Sequence, residues 1–200
     1  MAQNLARIPL VPKTGNEPFH HNFVNFDFSL LEFWKWSFSD IVSNATRGVL
    51  AEFIVAKALG ISTEGARDEW ARYDLKTADG ITIQVKSAAY LQSWHQERFS
   101  SISFDIRKTR GWDADTNKQD AEAKRHADVY VFALLAHTDK GTVDPLNVGQ
   151  WRFYVVPTSK LDARIRSQDS ITLKCLEDEY GKSVLYFDLP KAVRDVRNVE

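Results

Sequence analysis

The sequence predicts an α+β domain built on a mixed central sheet, and three observations carry that expectation. Residues 44–60 hold apolar side chains at helical spacing. Residues 73–106 alternate like a hairpin followed by a further strand. Residues 127–136, ADVYVFALLA, form a continuous apolar run of the kind found in a strand covered on both faces. Helix, three strands in a meander, short helix and buried strand is the order these patterns give.

Taken from the start, residues 1–42 read as an arm. Pro9, Pro12 and Pro18 flank Gly15 in an irregular lead-in. The following FHHNFVNFDFSLLEFWKWSFSD alternates around Phe26, Phe28 and Leu30 like a half-buried strand. The run LLEFWKWSF is too dense in apolar groups to be left in water. The arm is expected to pack on the core, or else to form the interface of a homodimer. His20 and His21 are adjacent, so on a strand they face opposite ways and do not make a metal pair.

The core is expected over residues 43–160. Ser43 or Asn44 caps a helix that Gly60 stops. A polar loop leads to YDLKTADGITIQVKS, residues 73–87, and SISFDIR supplies a third strand. KTRGWDADTNKQDAEAKRHA reads as a loop running into a short helix. The buried strand follows, then a loop, then the strand WRFYVVP. Residues 161–200 extend the same domain with a hairpin from SITLKCL and SVLYFDL and a final helix or loose end.

Composition narrows the function. With 200 residues, 44% hydrophobic and 26% charged, the chain is long enough for one sizeable core. Lys and Arg number 26 against 27 Asp and Glu, a net charge of -1, so any nucleic acid must be held by a local patch. Cys175 is the only cysteine, which excludes an intrachain disulfide and a zinc site of several thiolates and fits a reducing compartment. No apolar run approaches the ~18 residues of a membrane span, and no basic-then-apolar signal pattern opens the sequence, so a cytoplasmic location is expected.

The hairpin carries the first candidate residues. A two-residue Asp-Gly loop would mix polar and apolar groups on both faces. A three-residue loop, Ala78 to Gly80, puts Gly where a left-handed residue is needed and sets Leu75 opposite Ile83 and Asp74 opposite Gln84. One face is then Leu75, Ile83 and Val85, and the other gathers Asp74, Lys76, Thr82, Gln84 and Lys86. The helix adds a second carboxylate. The stripe around Glu52 is Ala45, Gly48, Val49, Val55, Ala56 and Leu59, which leaves an ionised Glu52 little route to water. Either Arg47 or another base meets it, or Glu52 faces the same cation as Asp74.

Glu52 in RGVLAEFIVAKALG, Asp74 in ARYDL and Gln84-Val85-Lys86 in ITIQVKS resemble the PD-(D/E)XK, restriction-endonuclease-like, phosphodiesterases, over roughly residues 44–135. That resemblance implies an α-β-β-β-α-β core and a metal-dependent endonuclease acting on DNA, with products ending in 5′-phosphate and 3′-hydroxyl. It implies Mg²⁺, with Mn²⁺ as a substitute, held by Asp74, the Gln84 amide oxygen, the Val85 carbonyl and Glu52, and it gives Lys86 the task of orienting the attacking water or offsetting charge. The family's usual acid is Gln84 here, which removes one negative charge, although the superfamily includes active members with Gln. The alternative is a nuclease-fold module that binds nucleic acid or a protein without cutting. Arg107, Lys108 and Arg110, just after the third strand, form the best local patch for DNA phosphates.

Overall fold

A computed structural model describes residues 4–197, and the architecture is mixed α+β as expected. In chain order it comprises β1 (Pro18–His21), β2 (Val24–Ser29), α1 (Leu30–Phe38), α2 (Asn44–Ala58), β3 (Leu75–Lys76), β4 (Thr82–Ala89), β5 (Ser103–Asp105), β6 (Trp112–Asp113), β7 (Lys118–Gln119), β8 (Val129–Leu135), β9 (Trp151–Pro157), α3 (Thr158–Asp162), β10 (Ser170–Thr172), α4 (Leu173–Tyr180) and α5 (Leu189–Arg197). The central sheet has four strands in the order β3-β4-β8-β9. β4 and β8 run parallel, and the two outer pairings are antiparallel.

All seven residues of β8 are buried, as a strand covered on both faces requires. Its Val129, Val131, Ala133 and Leu135 join Ile83 and Val85 of β4 in a core layer under α2 and α5. Its Tyr130, Phe132 and Leu134 join Phe104, Ile171 and Leu176 in a second layer on the opposite face. Residues after 160 thus contribute to both layers, through Ile171, Leu176, Leu189 and Val193. Helix α2 closes at Gly60, whose φ of +67° lets Ile61 N–H reach back to the Ala56 carbonyl at 2.9 Å.

The hairpin forms in the three-residue register. Leu75 pairs with Ile83 and Lys76 with Thr82; Thr77 N–H donates to the Ile81 carbonyl at 2.9 Å, and Gly80 takes φ +94°. Parity of apolar positions and turn chemistry agree there, so the register was readable from the chain.

Three expectations are corrected. The third strand, β5, does not extend the hairpin as a meander but pairs with the distant β10 in a separate two-stranded sheet. The helix expected within residues 113–127 is not formed; the segment makes the short β6–β7 hairpin and a bridge between Thr109 and Lys124. Its apolar residues after the hairpin are only Ala121, Ala123 and Ala127, all small and too few for a stripe that tertiary packing could hold helical. The hairpin expected from the tail is also replaced: LKCL lies in α4, and Val184 instead bridges Phe153 of β9.

In the arm, β2 forms where alternation predicted a strand, and it pairs with β1. Phe26 stacks on Phe28 at 5.4 Å between centroids, and Phe19 of β1 lies tilted against Phe28 at 4.8 Å. No residue of α1 is buried, and neither core layer includes a residue before Leu50 among those described. No helix among the described residues is long and apolar enough to cross a membrane.

Candidate active site

β3 is only two residues long, so it covers β4 at Thr82 and Ile83 and leaves the rest of that edge open. Asp74, immediately before β3, stands where the cover ends. Its N–H donates to the Ile83 carbonyl at 3.0 Å. Its Oδ2 accepts from the Val85 backbone N–H at 2.7 Å and from Gln84 Nε2 at 2.5 Å. Both donors converge on one oxygen, and among the described residues no hydrogen bond reaches Oδ1.

Burial pushes the Asp74 carboxyl up to about 6, with the Glu52 carboxylate the next largest cause; the Val85 N–H, Lys86 and Arg67 pull the other way. Desolvation together with a like charge is the arrangement that leaves a carboxylate short of positive charge. Glu52 reaches this place from α2, with its side chain 13% exposed. The base that meets it is Arg67, from the irregular loop between α2 and β3: Nε donates to Oε2 at 2.5 Å and Nη2 to Oε1 at 2.8 Å. Arg47 has a different set of partners, the Val42 carbonyl, Asn44 and Ser87. The surroundings of Glu52 are also less enclosed than their composition suggests, since Val49 of its stripe and the neighbouring Phe53 stay about half exposed.

A cleft of about 340 Å³ runs between α2 and this loop, and Glu52, Arg67, Tyr73 and Asp74 line it. Sequence reasoning missed Arg67. It lies in a stretch without periodicity, and only the unmet charge of Glu52 asked for such a partner.

Lys86 lies one side-chain repeat beyond Gln84 on the same face of β4. Its ammonium makes no ion pair or hydrogen bond among the described residues, and its charge acts on both Asp74 and Asp105. The expected phosphate-binding residues are placed differently. Arg107 grips Asp105 through Nε and Nη2, at 3.0 and 2.5 Å from Oδ2. Lys108 stands 3.4 Å from Asp162. Arg110 is exposed and in no ion pair among the described residues. Two of the three cations are thus partly neutralised by neighbours.

The side chains that could offer a cation oxygen here are Asp74, through Oδ1, Gln84, and Glu52 once it is free of Arg67. That set fits a small divalent cation such as Mg²⁺ better than a soft metal. Among the described residues no group of three His, Cys, Asp or Glu side chains is set to hold an ion.

A comparison with curated proteins finds no match. A protein-family model, that of bacteriophage T4 endonuclease IV, matches residues 28–174. The matched span begins in β2 and ends in α4, and it takes in the helix, the hairpin, the buried strand and all of Glu52, Arg67, Asp74, Gln84 and Lys86. The chain belongs to the bacteriophage T4 endonuclease IV family.

Proposed function

We propose that this chain is a metal-dependent endonuclease that hydrolyses DNA phosphodiester bonds, with a variant PD-(D/E)XK site at Glu52, Asp74, Gln84, Val85 and Lys86. The observation that carries the reading is Asp74: a half-buried carboxylate fixed on β4 by two donors to one oxygen, beside a second carboxylate, with no hydrogen bond to its other oxygen among the described residues. Membership of an endonuclease family supports it independently.

A phosphodiester resists attack because its own charge repels nucleophiles. A bound Mg²⁺ would supply positive charge to the phosphoryl and leaving oxygens. The protein's share would be to hold that charge in register: Asp74, fixed against β4 by the Val85 N–H and the Gln84 amide, would offer Oδ1, and the Val85 carbonyl and the Gln84 amide oxygen would complete the set. Arg67 keeps Glu52 from facing Asp74 unscreened, and its guanidinium would be free to meet a phosphate if Glu52 held a cation instead. Lys86 holds the attacking water and offsets charge that develops in the transition state.

Gln84 favours a second reading, a nuclease-fold module that binds nucleic acid without cutting, because one acidic ligand is missing. One assay separates the two. Supercoiled DNA is incubated with Mg²⁺ or Mn²⁺ and with EDTA, using the wild type, Asp74→Ala and Lys86→Ala. Metal-dependent nicking that both substitutions abolish supports the assignment. Nicking that persists in both removes these residues from the active site, and its absence in the wild type under all conditions selects the binding module.

A further inference from the structure

Helix α1 is apolar at six of its nine positions, and a helix with so little polar face belongs in an interior. Yet none of its residues is buried, and Trp36 is 84% exposed. In the β1–β2 sheet, the alternation of β2 puts Val24, Phe26 and Phe28 on one face, and Phe19 of β1 joins them by lying against Phe28. All four are at least 41% exposed.

Local bonds give the arm its shape. The Ser29 N–H donates to Glu32 Oε2 at 2.7 Å in a capping box that starts α1, the Thr14 and Gly15 N–H groups donate to Glu17, and those of Val42 and Ser43 donate to Asp40. Among the described residues, the hydrogen bonds of residues 14–40 stay within residues 14–43, and the ring contacts of the arm's phenylalanines are with one another and with Trp36. A two-stranded hairpin and one short helix are marginal in water when nothing packs on them. The arm therefore needs a cover that its own core does not supply.

We infer that the cover is a second copy of this chain, with the aromatic surface of one arm packed on the same surface of the other about a two-fold axis. The area suits this occupant. Nine large apolar side chains from Phe19 to Phe38 are at least 40% exposed. With ~150–250 Å² for each aromatic ring fully covered, their open part comes to roughly 900 Å², against the roughly 800 Å² that each partner of a stable complex buries. Charge argues against the other occupants. Residues 14–42 carry Glu17, Asp27, Glu32 and Asp40 against Lys35 alone, so nucleic acid and anionic membrane surfaces repel the arm. Three of those acids are engaged by the arm's own N–H groups, which leaves the opposite charges of Asp27 and Lys35, a set that suits a surface meeting itself. This pairing does not depend on the nuclease reading, since Glu52, Asp74, Gln84 and Lys86 all lie outside the arm.

Sedimentation velocity of the full chain at micromolar concentrations tests it. The wild type sediments at twice the chain mass. Trp36→Glu, which sets a charge in the apolar interface, raises the dimer dissociation constant at least about tenfold. Phe187→Glu, at a position 85% exposed but outside the arm, leaves it unchanged. A second measurement needs no variant: amide hydrogen exchange of the wild type slows over residues 18–38 as concentration rises and stays constant over β8. Phosphatidylcholine vesicles leave the dimer intact. A wild type that sediments as a monomer or as an open series of oligomers overturns the inference. So does a dissociation constant that Trp36→Glu leaves unchanged or that Phe187→Glu raises equally, arm exchange that ignores concentration, or conversion of the dimer to vesicle-bound monomer.

Discussion

Asp74 and Asp128 grip the same strand and do opposite things with it. Asp128 Oδ2 accepts from the Thr82 N–H at 2.8 Å and the Thr82 hydroxyl at 2.7 Å, and it fastens the start of β8 to the start of β4 in an exposed position. Asp74 Oδ2 accepts an equal number of donors, from Val85 and Gln84, but it is half-buried, enough to desolvate its carboxyl, and it lies beside the Glu52 charge. Hydrogen bonding is therefore not what distinguishes a joint from a site. The difference lies in water and in the neighbouring charge: Asp128 is solvated, whereas Asp74 is left with an excess of negative charge that a cation would relieve.

The sharpest way to break this comparison is to remove each charge without its shape. Asp74→Asn is expected to lower metal-dependent cleavage by at least about a thousandfold, more than loss of one preorganised donor, because it removes the central ligand. Asp128→Asn is expected to stay within about twofold of wild type in the same rate measurement. Equal losses would erase the distinction. Lys86→Met follows, with a fall of roughly a hundredfold in single-turnover rate and an unchanged thermal midpoint.

The next effect is on stability. The folded Asp74 carboxyl sits at about 6, above its ordinary value of 3.8, so its contribution is fully present below pH 3.8 and is lost as the pH rises through 6. For the metal-free protein this is worth roughly 2 kcal/mol between pH 4 and pH 7. Urea unfolding in EDTA should show that decline in the wild type and a flatter profile in Asp74→Asn, which is then the more stable of the two at pH 7. Smallest is Asp128→Ala, expected to cost about 1 kcal/mol by urea unfolding, the usual loss of an exposed hydrogen-bonded joint.

The hairpin explains why half of the site was legible in the sequence. Its register follows from local rules, the Gly80 turn and the parity of Leu75, Ile83 and Val85, and those rules set Asp74 beside Gln84. Glu52 was marked by its apolar surroundings alone. What could not be read was set by distant partners. Arg67 comes from an aperiodic loop, β5 found β10 some 65 residues away, and Arg107 and Lys108 found acids that no local pattern pairs with them. The helix expected before β8 failed for a related reason: helix-forming residues without an apolar stripe have nothing to pack against.

Titration of Mn²⁺ into the wild type, Asp74→Asn and Asp128→Asn tests the central claim most directly. The account predicts binding to the wild type and to Asp128→Asn and its loss in Asp74→Asn. Mn²⁺ binding of equal strength in all three proteins would contradict it.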